Sequence, residues 1–428
     1  MRLTGIRIRN YKSLRDVFLA PSEFSVFVGR NGSGKSNFAD ALEFLAIAYG
    51  SNLEHAIAKK GGFENIAHRK ERRSRSAVCF DIEVEATLSE AEVLGPVLLR
   101  RVEKAGHRTF RFRHSFSIKA AGASIRSEFK IVDERLELIS WKAGVDGYEW
   151  LEINRDVEGR LVIQGDSRSI IADMTFIGAH GWDAEQNAEL ALAPTEMIFA
   201  FPFIRPRLVG RFTSWLSRLS IFQVSPEVSR HAGVPTPNPV LSSRGENLPA
   251  VIDWLQAKRP KEWKLILRGM REIVPELDEI SVHYLHTRTL GLQFKERGVG
   301  RPWGAEDVSD GTIRSLAMLV ACFDPRISAL VLEEPENSLH PWIIREVVKQ
   351  LRKLSGDKTV LVTTHSPIVL NAVRPSEVWV VFKRDGETQI KPLTSFDASL
   401  EDDWEKGMYR LFDYLESGAV VEAVPAGE

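Results

Sequence analysis

Cysteine is nearly missing from this chain: of 428 residues only Cys79 and Cys322 carry thiols, and neither has a CxxC partner or a histidine-rich neighbour. A disulfide framework and a zinc hook built within one chain are therefore excluded, and both residues are expected to act as small buried hydrophobes. Net charge is nearly absent too. Lys+Arg at 57 against Asp+Glu at 58 leave −1, so no global basic field points to a polyanion, and any nucleic-acid contact has to come from a local patch. Long apolar runs are also lacking. Those around Ala41–Tyr49 and Leu316–Phe323 fall far short of a membrane span, and Met1–Asn10 has no signal-peptide layout, so a cytoplasmic protein with no membrane partner is expected. No repeat or sustained heptad pattern occurs, which excludes a long coiled-coil arm.

What is present is ordinary for a folded chain: 43% hydrophobic and 27% charged residues, with a length that fits two or three domains and a sizeable core. Apolar alternation at Leu3–Asn10 and the run Phe24–Val28 read as strands, and helical spacing follows over Gly34–Tyr49. From Ala77 to Ile163 short alternating runs such as Phe80-Asp81-Ile82-Glu83-Val84 predict an antiparallel β region with one wet face, with turns at Lys104–His107 and Gly144–Gly147. From about 173 to 277 the alternation stops and helical stretches at Met197–Phe203, Leu208–Leu219 and Val251–Val274 predict an inserted helical subdomain. Beyond it, Ile280–Leu285 and Leu290–Phe294 read as strands, Gly311–Phe323 as a helix, Ser328–Leu332 as a buried strand, Pro341–Leu354 as a helix and Thr359–Thr363 as a buried strand. That order implies an α/β fold with a largely parallel sheet, divided as 1–172, 173–277 and 278–428.

Gly29-Arg30-Asn31-Gly32-Ser33-Gly34-Lys35-Ser36 satisfies G-x-x-x-x-G-K-[ST] between a predicted strand and a predicted helix. Phosphates need inward backbone N–H groups, glycines for close approach, and a helix start whose partial positive charge favours an anion. Lys35 then reaches the β and γ phosphates of ATP, and the Ser36 hydroxyl is suited to Mg2+. Far downstream, Leu330-Val331-Leu332-Glu333-Glu334 is an apolar strand ending in two acids. Read alone, such acids are usually a solvated loop; beside a P-loop, Glu333 is the expected Mg2+ ligand and Glu334 the general base for water. Thr363-Thr364-His365-Ser366-Pro367 puts His365 beyond the next buried strand, where a neutral imidazole senses the γ-phosphate. Val308-Ser309-Asp310-Gly311-Thr312 opens a helix, and Ser309 with Gly311 forms a second anion-binding end, unless it is a plain N-cap. One chain cannot point two such ends at the same γ-phosphate, so the second is expected to meet ATP held by another subunit.

The order P-loop, SDGT, EEPENSLHP and TTHSP resembles the ABC-type ATPase heads of the RecF/SMC/OLD-like branch, in particular relatives without a nuclease domain. Ile6-Arg7-Ile8-Arg9-Asn10-Tyr11-Lys12-Ser13-Leu14 is similar to the family's opening strand, and Gly245-Glu246-Asn247-Leu248-Pro249 to the G-x-N-L segment of its insert. The resemblance implies a homodimer closed by ATP, Ser309 and Gly311 clamping the nucleotide in trans, Asn337-Ser338-Leu339-His340 at the seam, and His365 as switch. SDGT replaces the LSGGQ of transporters, and no glutamine stands at the usual distance after the P-loop, which leaves His68 or a water as a substitute.

The implied activity is ATP hydrolysis controlling DNA or RNA, or a nuclease or toxin effector, in DNA maintenance or anti-phage defence. Arg69-Lys70-Glu71-Arg72-Arg73-Ser74-Arg75 with Arg100, Arg101, Arg108, Arg111 and Arg113 is the candidate phosphate patch, or else a solvated surface. The alternatives are the ATPase subunit of a membrane transporter and a regulatory ATP-dependent protein-binding switch. A built-in nuclease is not expected, because Glu401, Asp402, Asp403 and Glu405 read as a solvated loop.

Overall fold

The computed structural model describes residues 1–68, 76–89, 107–122, 128–145, 147–156, 158–165, 192–200, 204, 208–285, 288–337, 339–355, 358–418 and 420. The basic run 69–75, Arg100, Arg101, Ser338 and most of 173–207 lie outside the described residues, as do parts of both expected turns.

Along the chain the first strands are β1 (Arg2–Tyr11), β2 (Leu14–Leu19), β3 (Phe24–Val28), β4 (Val78–Ser89), β5 (His107–Ala120), β6 (Phe129–Trp141), β7 (Glu149–Arg155) and β8 (Leu161–Gly165). They are followed by β9 (Leu219–Phe222), β10 (Leu277–Tyr284), β11 (Leu290–Glu296), β12 (Trp303–Gly304), β13 (Ala329–Glu333), β14 (Thr359–Thr364), β15 (Val378–Arg384) and β16 (Glu387–Pro392). The principal helices are α1 (Lys35–Gly50), α2 (Leu208–Ser217), α3 (Pro226–Ser229), α4 (Leu248–Lys258), α5 (Pro260–Ile273), α6 (Asp310–Phe323), α7 (Pro341–Leu354) and α8 (Leu400–Glu405). The chain forms two compact units: Met1–Pro21, Asn37–Arg218 and Lys383–Ile390 in the first, Ser22–Ser36, Leu219–Phe382 and Lys391–Glu428 in the second. The stretch expected as one helical insert thus contributes α2 to the first unit and α3 to α5 to the second.

In the first unit the strand order is β8-β7-β6-β5-β4-β1-β2-β16, antiparallel except where β16 runs parallel to β2. Alternation drives this sheet: Val78, Phe80, Ile82 and Val84 on β4 face inward with Phe110, Phe112 and Phe116 on β5. Helix α1 supplies Phe44, stacked 5.4 Å from Phe80, and α2 supplies Phe212, 4.8 Å from Phe112. Residues on the opposite face pair their charges across strands. Arg113 forks onto Asp81 at 2.9 and 2.5 Å and Arg111 meets Glu85 at 3.4 Å, while Arg108, buried on the inner face of β5, reaches Ser140 at 2.7 Å and Glu149 at 3.0 Å. Those three arginines of the candidate phosphate patch therefore each stand beside a carboxylate. Cys322 is buried as expected, whereas Cys79 is only half-buried, its thiol donating to the Ala77 carbonyl at 3.6 Å.

In the second unit β15-β3-β14-β13-β9 form an all-parallel sheet. Its central strands are buried on both faces, which is why they read as continuous apolar runs. Helices α4 to α7 contribute Leu255, Ile266, Met270, Leu316, Leu319, Val347 and Leu351 to the core. Strands β10 and β11 do not enter this sheet; they pair antiparallel with each other and with β12. Their short separation allows a hairpin but not the crossover that a parallel neighbour needs.

Candidate functional site

Parallel register brings the site together. Glu333 lies opposite Thr363, while Thr363 and Thr364 lie opposite Phe27 and Val28, so β13, β14 and β3 end at one level. The P-loop leaves β3, the two acids leave β13 and His365 leaves β14, all at carboxyl ends, where open α/β sheets bind ligands.

The turn after β3 is closed by Ser33 N–H donating to the Arg30 carbonyl at 3.1 Å, and Lys35 starts α1. Arg30, Asn31 and Gly32 are exposed at its tip, whereas Gly29, Ser33, Gly34 and Lys35 are buried. Gly29 is required by space: a Cβ there would sit 1.9 Å from the Val381 carbonyl oxygen. Lys35, only 7% exposed, donates to the carbonyls of Gly29 at 2.7 Å and Arg30 at 3.2 Å and lies 2.8 Å from His365 Nε2. Burial pushes its pKa down to about 8, against the opposing pull of Glu334, Glu336 and Glu333. His365 is also lowered, first by burial and then by the Lys35 charge, so a neutral ring accepts at Nε2 from the ammonium.

Ser36 Oγ lies 3.2 Å from Glu333 Oε2, pairing a hydroxyl with a carboxylate at the mouth of the cradle. Two such oxygens suit Mg2+, which keeps its remaining positions for phosphate and water and seldom takes an all-protein cage. No cluster of three or more His, Cys, Asp or Glu able to hold a metal occurs among the described residues. Glu334 occupies the left-handed region at φ 46, an uncommon and strained conformation for this residue type. It is fixed by its N–H donating to the Thr363 carbonyl at 2.9 Å and by Arg314 donating to its own carbonyl at 3.0 Å. Its carboxylate accepts from Asn337 Nδ2 at 2.9 Å and approaches His365 Nε2 at 3.7 Å.

Ser309 is the N-cap of α6, its Oγ accepting from Thr312 N–H at 3.1 Å, and Gly311 is half-buried in the first turn. The N-cap reading of this segment is therefore realised. The exposed N-cap and first turn still carry the helix-end character that attracts anions. His68, considered as a stand-in for a glutamine, lies in the first unit with Nδ1 2.6 Å from the Lys12 carbonyl. Glu401, Asp402, Asp403 and Glu405 lie on the short helix α8 rather than a loop.

Two further residues that hold this edge together are not evident from motif reading. Glu336 accepts at Oε1 from Thr364 Oγ1 at 2.7 Å and from the His365 N–H at 2.9 Å, so it pins the histidine loop to the acidic loop. Arg314 ties α6 to the Glu334 backbone. The signal for both was their closeness in sequence to the acidic pair and to SDGT.

The parallel sheet and the groups gathered at its edge have the layout of a P-loop fold, and two stretches of the chain match family models of ATPase domains. Residues 1–130 match the family described as "AAA ATPase domain", and residues 212–371 match the one described as "AAA domain, putative AbiEii toxin, Type IV TA system". The first match contains the P-loop; the second contains SDGT, the acidic pair and His365. No curated protein matches in sequence. Among solved structures the chain is similar to an SMC head bound to the C-winged helix domain of ScpA, at 14% identity over 91% of this chain and 98% of that one, TM-score 0.46. It is similar to the SMC head domain from Thermotoga maritima at 14% identity, 92% and 99% coverage, TM-score 0.39. A third is an Smc head domain with an extended coiled coil bound to the C-terminal domain of ScpA derived from Pyrococcus furiosus, at 14% identity, 95% and 100% coverage, TM-score 0.43. No helix among the described residues is long and apolar enough to cross a membrane.

Proposed function

We propose that the chain binds and hydrolyses ATP with Mg2+ and works as a nucleotide-gated homodimer. The observation that carries this is the convergence of Lys35, Ser36, Glu333, Glu334 and His365 at the ends of three parallel strands. The Gly29–Ser36 backbone cradles the phosphates and Lys35 neutralises their charge. Ser36 and Glu333 would hold Mg2+, which when bound supplies further neutralisation of the phosphate oxygens. Glu334 takes the proton of the attacking water, oriented by Asn337. His365 reports on the γ-phosphate, because its neighbour in this structure is the same ammonium that a phosphate engages. Ser309 and Gly311 serve ATP held by a second copy, which makes the dimer the working unit.

In the cell we place this switch in the cytoplasm, controlling a toxin or nuclease effector in defence. The description of the family matched by 212–371 supports that context over direct action on DNA or RNA, as does the cross-strand pairing of Arg108, Arg111 and Arg113. Phosphate release from ATP and Mg2+, with a mass increase in light scattering on adding ATP, tests the reading; a chain that neither binds ATP nor changes mass refutes it.

A further inference from the structure

Asp310 is an odd residue for the start of a helix meant to face a phosphate. It stands in the first turn of α6, between Ser309 and Gly311, and puts a carboxylate where the helix end attracts anions. Arg230, which follows the short helix α3, answers that charge. Its side chain is only 13% exposed; Nη2 donates to Asp310 Oδ1, and Nη1 reaches the carbonyls of Ala305 at 3.1 Å, Val308 at 3.4 Å and Glu306 at 3.5 Å. One guanidinium thus spans the loop that leads into SDGT and neutralises the acid at its end, a reach that a point-charge ammonium does not reproduce.

The support behind Arg230 is equally specific. Ser229 is fully buried and donates to the Arg244 carbonyl at 3.0 Å. Gly245, at φ +87, packs so tightly on it that a Cβ would lie 2.2 Å from Ser229 Oγ. Asn247 holds the same loop, accepting from Ser242 N–H at 2.9 Å and donating to the Val240 carbonyl at 2.8 Å. The Gly-Glu-Asn-Leu segment thereby fixes Ser229, and Ser229 fixes Arg230.

We infer that Arg230 is the positioning residue of the trans signature: it sets the loop 305–309 and cancels the Asp310 charge, so that Ser309 and Gly311 present a net attractive end to a second copy's ATP. The inference rests on the ATP-dimer reading above. It gives a function to the insert loop, which is otherwise remote in sequence from every nucleotide motif.

The test uses the full chain carrying Glu334→Gln, to accumulate the ATP state, with Arg230→Ala, Arg230→Lys and the double change Arg230→Ala, Asp310→Asn. ATP affinity of dilute single heads and the ATP-dependent dimerisation constant are measured for each. R230A is expected to keep single-head ATP affinity within about twofold and to weaken dimerisation at least tenfold. R230K is expected to fall between, and Asp310→Asn to restore part of the loss, because the uncancelled acid is then gone. The inference is overturned if R230A dimerises like its parent, or if it loses ATP affinity as well and Asp310→Asn restores nothing, which marks a general folding role. A parent chain that never dimerises with ATP overturns the underlying dimer reading too, and is told apart because the defect is then present before Arg230 is touched.

Discussion

Lys35 Nζ lies 2.8 Å from His365 Nε2, across 330 positions of sequence. The contact joins the lysine proposed to bind phosphate to the proposed γ-phosphate sensor, and burial pushes the same ammonium's pKa down to about 8.

That value fixes a pH dependence. The folded-state pKa lies below the 10.5 of an unperturbed lysine, so between about 8 and 10.5 the unfolded chain holds a proton that the folded chain lacks. Stability therefore rises with pH through this window, and below it the charged Lys35 opposes folding in full. Lys35→Met should raise the Tm of the nucleotide-free chain at pH 7, with the gain fading by about pH 10.5. ATP, which favours the charged lysine, should bind with proton uptake above pH 8. Thermal scans and calorimetry in two buffers check both signs.

Removing the base should separate binding from chemistry. Glu334→Gln is expected to keep ATP affinity and to lower turnover about a hundredfold or more, since the attacking water loses its proton acceptor. Lys35→Ala should instead weaken ATP binding. Equal turnover in E334Q and the unmodified chain would remove Glu334 from the role.

Gly29 and Gly32 make a graded pair. Gly29→Ala drives a Cβ onto the Val381 carbonyl oxygen at 1.9 Å, so backbone must move, at a cost of about 1–3 kcal/mol, and ATP binding should be lost. Gly32→Ala has open space and only its φ of +76 to strain, a cost of about 1–2 kcal/mol. Denaturation midpoints and ATP titrations of both order them.

Glu336 should act through His365. Glu336→Ala leaves the Thr364 hydroxyl and the His365 N–H without their shared acceptor, a loss of about 1.5–3 kcal/mol if water does not replace it. Turnover is expected to fall roughly tenfold or more with KM nearly unchanged. A KM effect alone would mean that the pin serves binding.

The candidate site was legible because its segments are short and local: Gly29–Ser36, Glu333-Glu334 and Thr363–His365 each stand out within a few residues, and buried parallel strands announce themselves as apolar runs. The antiparallel sheet was legible from its alternation. What the sequence hid are pairings between distant segments. Strand β9 has only four residues, too few for a period, and its identity comes from pairing with β13. Strands β10 and β11 look like any others until their partners are known. Arg111 and Arg113 read as a basic patch because their carboxylates lie on β4, more than twenty residues away.

The trans mechanism is tested most directly by mixing chains. K35A lacks the ammonium proposed to neutralise the phosphates but keeps its signature; Ser309→Arg keeps that ammonium but presents a bulky cation at the start of α6. Hydrolysis is measured for each alone and for an equimolar mixture at fixed total protein. Each variant alone should be nearly inactive, and the mixture should regain activity from one complete site per mixed dimer. Full hydrolysis by strictly monomeric S309R, or a mixture no more active than its parts, would contradict the account.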